Sequence, residues 1–354
     1  MRNGRRPVAA NNPSPRVQGR RPTASDVAAE AGVSIASVSL VINGKAEGRV
    51  ATRTQERVWR AINKLGYVVD SAARSLVTGR RQCIALVAPD LGNPFFTQVA
   101  AGVAKALGGE YRLLLAVSGP EREEPDLAQL VGFGVDGILL EFPGTRVDTR
   151  QIGCPVVLLD EPVAPPELSR VHFDTAPGAC ALVDRIVELG HRRVVYLDAT
   201  REGQTFATRR AQVCARLAAT PGTEVIEARA NITVDAARAL VAEEWPGWRA
   251  AGVTAMIAAA DLLAYGALSA FTGLGVAVPG EVSIGSFDDL PFSEITSPPL
   301  STVRLSAFDL GYTSAGILRE LIADGGGDRP RVRALGTSLV ERASLGRARL
   351  QPSG

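Results

Sequence analysis

From Cys83 onward the chain repeats one pattern: a short apolar run, then a stretch with helical spacing. The runs are CIALVAPD, YRLLLAVSG, VDGILLEF, PVVLLD, RVVYLDA, TEVIEARA, AMIAAAD and VSIGSFDD. Short runs that are apolar throughout do not alternate between core and water, so both faces of each strand must be covered. Helices between successive strands cover them when the strands are parallel, because a parallel pair needs a crossover. The pattern therefore predicts α/β architecture with parallel sheets and helices on both faces, and eight or more strands predict two sheets. In such sheets ligands sit beyond the carboxyl ends of the strands. Asp90, Asn93, Pro94, Phe95 and Phe96 follow the first run, Asp160 follows PVVLL, and Asp288 and Asp289 close SIGSF. Thr205 and Arg209 stand in the helical stretch after RVVYLDA. Taken singly, each of these polar residues is equally a helix cap or a surface ion pair. Their joint placement at strand ends is what favours a binding cleft.

The front of the chain is different. Residues 1–81 hold 15 Lys and Arg against five Asp and Glu, while the remaining residues hold 24 against 32. A basic front on an acidic body predicts a polyanionic partner for the front alone. Within it, Thr23 followed by Asp26 is the signature of a capping box, Val27, Ala28 and Ala31 share one face, and Gly32 is placed to end the helix. Ser34 then caps a second helix whose buried stripe is Val38, Val41 and Ile42. Two short helices joined by a Gly-containing turn form a helix-turn-helix, which sets its second helix in the DNA major groove. An ordinary helical hairpin reads the same from these residues alone. Val58, Ala61, Ile62 and Leu65 predict a third helix that closes a three-helix core. Residues 1–22 carry six arginines and no acid, the composition of a disordered tail or a weak phosphate-binding arm.

Several functions are not signalled. The sequence has no GxSxG elbow and no P-loop, and only two histidines, His172 and His191. Cys83, Cys154, Cys180 and Cys214 are scattered without close pairs, so buried thiols are expected rather than a disulfide framework or a zinc site. The opening MRNGRRPVAA lacks the apolar run of a secretion signal, and no stretch of about 18 residues is apolar throughout. A cytoplasmic protein with no membrane partner, no cofactor and no catalytic role is the expectation.

The motifs DVAAEAGVS, SVSLVIN, TRTQERV, LGYVVDSAARSLVTGRR and IALVAPDLGNPFF occur in that order. With them the chain resembles the lactose-repressor (LacI/GalR) family of bacterial transcription factors. The resemblance continues through DGILL, PVVLLD, LGHRRVVYLD, PGEVSIGSFDD, PPLSTVR and LVERAS, and so covers about residues 23–345. It implies a helix-turn-helix DNA-binding domain at 23–69, a hinge helix at 70–81 and a two-lobed, periplasmic-binding-protein-like body at 82–345, with a flexible tail at 346–354. The family reads base edges from positions matching Ile35, Ala36 and Leu40, although burial of Leu40 is an equal reading. Ser34, Ser37, Asn43, Lys45, Arg49 and Thr54 suit phosphate contacts, which position the protein without specifying sequence. In the hinge, Ala73 and Leu76 match the family's minor-groove wedge, a segment too short to stay helical alone; a plain linker is the other reading.

In the body, the resemblance implies that Phe95 and Phe96 wall an effector pocket while Asp160, Thr205, Arg209 and Asp288 hydrogen-bond its occupant. The partners implied are a double-stranded DNA operator, a small-molecule effector (a sugar or related metabolite) and a second copy of the chain in a homodimer. No heptad-bearing segment follows LVERAS, so a coiled-coil tetramer is not expected. The chain departs from the family at Ala260-Asp261, where the family has Asn-Asp, at Ile232, where an aromatic commonly stacks on the ligand, and at Val69, where Pro is frequent. A less polar effector, or a regulator with no effector response, therefore stays open. His191 in LGHRR is expected to be structural.

Overall fold

A computed structural model of the chain describes residues 22–42, 44–67, 81–117, 126–141, 152–200, 203–326 and 329–349. Asn43, the tail at 1–21, and hinge residues 68–80, with Val69, Ala73 and Leu76, lie outside the described residues. The chain divides into two compact units, residues 1–81 and 82–354.

The first unit holds α1 (Ala24–Ala31), α2 (Ile35–Ile42) and α3 (Thr52–Leu65). The capping box forms: Thr23 donates from its backbone and its hydroxyl to Asp26 at 2.7 Å each, and the Asp26 amide donates back to Thr23 Oγ1. Gly32 takes φ 62°, a left-handed conformation that costs a side-chain-bearing residue energy, and α1 and α2 are bent by 104° to each other. Val27, Ala28, Ala31, Val38, Val41, Ala46, Val58, Ala61 and Ile62 form the core, with Ile42 and Leu65 half-buried at its edge.

The second unit contains two six-stranded sheets. The first has the order β11-β5-β4-β3-β1-β2, built from β1 (Cys83–Ala88), β2 (Arg112–Val117), β3 (Gly137–Leu140), β4 (Val156–Leu159), β5 (Ser169–Asp174) and β11 (Val332–Gly336). The second repeats that order as β12-β10-β9-β8-β6-β7, from β6 (Arg193–Ala199), β7 (Glu224–Ala230), β8 (Ala255–Ala258), β9 (Ser283–Asp288), β10 (Ser301–Arg304) and β12 (Ser338–Val340). All pairings are parallel except β10 with β12.

The covering helices are α4 (Pro94–Leu107), α5 (Leu127–Gly132), α6 (Ala176–Glu188), α7 (Gln204–Ala218), α8 (Val234–Ala250), α9 (Asp261–Leu274) and α10 (Ala307–Ala323). The eight runs named from sequence are β1–β4 and β6–β9. Strands β5, β10, β11 and β12 are additional: SRVHFD carries Arg and His, and the others are short and partly polar.

The chain passes between the sheets after β5, after β10 and between β11 and β12. Thr337, in the last crossing, donates to the Asp174 carbonyl in the first at 2.8 Å and accepts from the Gly178 amide at 3.2 Å. In the first lobe α4 and α10 meet backbone to backbone. A Cβ on Gly102 would lie 2.0 Å from the Phe308 carbonyl oxygen, and one on Gly311 would lie 2.1 Å from that of Val99. Residues 346–349 are held rather than loose: Gly346 N–H donates to Ser283 Oγ at 3.0 Å and Ala348 N–H to the Leu189 carbonyl at 2.8 Å. Residues 346–349, expected as part of a tail, thus extend the body's hydrogen bonding. Trp245 and Trp248 are buried within α8, with Trp245 edge-on to Phe271 at 4.8 Å.

Candidate functional site: an effector cleft and a DNA reader

The parallel order brings the carboxyl ends of strands from both sheets to one cleft. Asn93, Phe95 and Phe96 at the start of α4, Glu141 after β3 and Asp160 after β4 line it from the first lobe. Thr205, Phe206 and Arg209 on α7, Ile232 after β7, Ala260 after β8 and Asp288 at the end of β9 line it from the second. The cleft is half open, and the space between these residues is about 390 Å³ when the part that is open to solvent is counted. All six residues expected to contact an effector are therefore together. So are Ile232 and Ala260, which put aliphatic surface where the family carries an aromatic and an amide.

Arg209 sits at the centre and is only 3% exposed. Its guanidinium lies 3.4 Å from Asp160 and 3.3 Å from Asp288, and it donates to the Ala259 carbonyl at 2.9 Å. Phe206 and Phe287 present their rings to the same cation, 5.1 and 5.6 Å from its carbon. A buried charge is tolerated only when paired and hydrogen-bonded, and this one is flanked by two acids. Its Nε has no partner. Asp160 also accepts from Thr205 Oγ1 at 2.8 Å, so α7 of one lobe grips an acid of the other. Burial is the dominant influence on both acids and outweighs the attraction of Arg209. It raises the Asp160 carboxyl above the ordinary range and pushes that of Asp288 up to about 8. Both aspartates take positive φ, 50° and 118°, a conformation that non-glycine residues hold only when their surroundings impose it.

Asp261, the acid after Ala260, belongs to a structural network. It is fully buried and accepts from Ser286, Ser293, Thr302 and the Leu290 amide. His191 is likewise structural: Nδ1 lies 2.9 Å from the Thr254 hydroxyl and Nε2 2.9 Å from the Gly346 carbonyl, and burial lowers its pKa. The four cysteines are free and partly buried, and burial pushes the Cys154 thiol up to about 11. Among the described residues no group of acids, cysteines and histidines is placed to hold a metal, and no single helix is long and apolar enough to cross a membrane.

Glu141 and Phe206 line the cleft without having been singled out from sequence. Glu141 follows GILL as Asp160 follows VVLL, so the same strand-end rule reaches it. Phe206 stands between Thr205 and Ala207 in a helical stretch, away from any strand end.

In the first unit, Ser34 Oγ accepts from the Ser37 amide at 3.1 Å and lies 3.0 Å from its hydroxyl, which caps α2. Ile35 is 54% exposed, Ala36 and Arg49 are exposed, and Ser37, Leu40 and Thr54 are half-buried. Arg57 of α3 closes the C-terminal end of α1, donating from Nε to the Ala31 carbonyl at 3.0 Å and from Nη2 to that of Gly32 at 3.0 Å.

A family model described as bacterial regulatory proteins, lacI family, matches residues 23–70, and one for a periplasmic binding protein-like domain matches residues 183–345. The HTH-type transcriptional regulator CelR of Thermobifida fusca is 33% identical over 343 residues, 92% of this chain and 98% of that one. The chain belongs to the lacI family of bacterial regulatory proteins. It is, accordingly, a DNA-binding transcriptional regulator with an N-terminal helix-turn-helix and a periplasmic-binding-protein-like body. The HTH-type transcriptional regulator MalR of Streptomyces coelicolor is 31% identical over 322 residues, covering 84% of this regulator and 89% of MalR. Among solved structures, a transcriptional regulator CelR–cellobiose complex matches with a TM-score of 0.66 and 30% identity, covering 92% of this chain and 100% of that one. The lac repressor dimer bound to operator and the anti-inducer ONPF shares the fold, with a TM-score of 0.80 at 24% identity over 92% of this chain and 99% of that one.

Proposed function

We propose that this regulator is a homodimeric, cytoplasmic repressor whose hold on a specific DNA operator is set by an uncharged, hydroxyl-rich effector bound between the lobes. The observation that carries this reading is Arg209, buried among Asp160, Asp288 and Thr205 where the two lobes meet. Guanidinium, carboxylates and hydroxyl offer paired donors and acceptors in a cleft walled by Phe95, Phe96 and Phe206, which suits a ring with polar edges and apolar faces. The cellobiose held by the related CelR structure fits that description.

An effector that touches both lobes binds their alternative arrangements with different affinity, and that difference alone can shift DNA occupancy. A base-reading role for Ile35, Ala36 and Leu40, phosphate contacts from Ser34, Ser37, Asn43, Arg49 and Thr54, and a minor-groove wedge at Ala73 and Leu76 complete the proposal. No catalytic step is assigned to any residue.

A second reading is favoured by Ala260 and Ile232, whose aliphatic surfaces suit an effector with fewer hydroxyls on that side. Selection of duplexes from a random pool by the full-length protein, followed by calorimetry with cellobiose, maltose and their monosaccharides, tests both readings. A sugar that binds wild type and not Arg209→Ala supports the first. Binding that survives Arg209→Ala, Asp160→Ala and Asp288→Ala removes the cleft assignment.

A further inference from the structure

The recognition helix presents an unusual surface for its task. From Ser34 to Ile42 the sequence is SIASVSLVI, with no Arg, Lys, Asn, Gln, Asp or Glu. Val38 and Val41 are buried in the three-helix core, so the outward face is formed by Ile35, Ala36, Ser39 and, in part, Ser37 and Leu40. Two of the hydroxyls on this segment, those of Ser34 and Ser37, face each other at 3.0 Å in the helix cap. Ile35, at 54% exposure, is the large apolar side chain that projects from the first turn.

Major-groove base edges differ in their donors and acceptors and in one apolar feature, the C5 methyl of thymine. Guanine is read by a bidentate Arg or Lys and adenine by a bidentate Asn or Gln, and α2 has neither. Serine hydroxyls bond to either kind of edge without choosing. We infer that α2 contributes sequence choice by seating thymine methyl groups against Ile35, Ala36 and Leu40, so that its part of each half-site is specified by methyl positions rather than by base hydrogen bonds. The inference rests on the DNA-regulator reading and deepens it by naming what the second helix recognises.

The test uses full-length wild type and a duplex it has selected from random sequence. Thymines of the half-site are replaced by uracil, which removes only the methyl. At one or more positions uracil is expected to weaken wild-type binding about fourfold, the loss for one buried carbon. Ile35→Ala should bind the thymine duplex as weakly as wild type binds the uracil duplex, with no further loss on uracil, while its helicity and melting match wild type. Equal wild-type affinity for thymine and uracil duplexes overturns the inference, as does a selected half-site without thymine. So does undiminished thymine preference in both Ile35→Ala and Leu40→Ala. Selection of no sequence at all overturns the regulator reading together with it.

Discussion

The cleft and the recognition helix break the ordinary partition of side chains in opposite directions. The cleft buries a guanidinium to 3% exposure among aspartates at 6%, whereas α2 leaves an isoleucine 54% in water. Solvated charge and buried aliphatics are the usual outcome, and departures from it concentrate at functional sites. The difference teaches where each interaction free energy resides. The cleft holds its polar groups in a strained, pre-organised cage that contributes to the fold itself. The reader's apolar surface contributes nothing until DNA covers it.

The comparison is most easily broken at Arg209. At about pH 9, where Asp288 is ionised, Arg209→Met leaves that carboxylate buried without a countercharge, and about 3–5 kcal/mol of stability in the 82–354 unit should be lost. Denaturant unfolding checks this, and an unchanged midpoint would mean that the acids are solvated. Asp288 gives the pH arm. Its carboxyl titrates at about 8, above the ordinary 3.8, because burial favours the protonated acid. The stability it contributes is complete below that ordinary value and is lost as pH rises through about 8. Wild type should therefore melt lower at about pH 9 than at about pH 7, and Asp288→Asn should flatten that interval.

Arg57 comes next in size. Arg57→Met uncaps α1 and should cost the helix-turn-helix unit about 1 kcal/mol, partly restored by Lys. The slope of DNA affinity against salt should stay unchanged, because the guanidinium is engaged by carbonyls rather than phosphates. The smallest effect on stability sharpens the contrast. Ile35→Ser should lower stability by less than about 1 kcal/mol, since more than half of Ile35 is exposed, yet still weaken binding to the selected duplex.

Much of this was legible in the sequence because local chemistry and tertiary demand agree. Thr23 with Asp26, Gly32 and Ser34 mark the helix pair through caps that form as their spacing requires. The runs that became β1, β3, β4, β6, β8 and β9 are buried on both faces and read as largely apolar, whereas β2 and β7, at the sheet edges, are only partly covered. Strand β5 escaped because Arg170 and His172 alternate with buried Val171 and Phe173, so it is not a continuous apolar run like the others. Strands β10, β11 and β12 owe their existence to neighbours already in place rather than to their own composition. In the cleft, residues on strand ends were legible and Phe206 was not singled out, although it stands three residues before Arg209 on α7 and so shares its face. No sequence pattern discloses the Gly102–Gly311 approach, which emerges only when α4 and α10 are packed. Glu141 could have been found by applying to GILL the rule already applied to VVLL.

The most direct test of the account is the affinity of the full-length regulator for its selected duplex at fixed salt, with and without a saturating sugar that calorimetry shows to occupy the cleft. The account predicts a shift of about fivefold or more in wild type and none in Arg209→Ala. A sugar that fills the cleft of wild type and leaves its DNA affinity unchanged would contradict it.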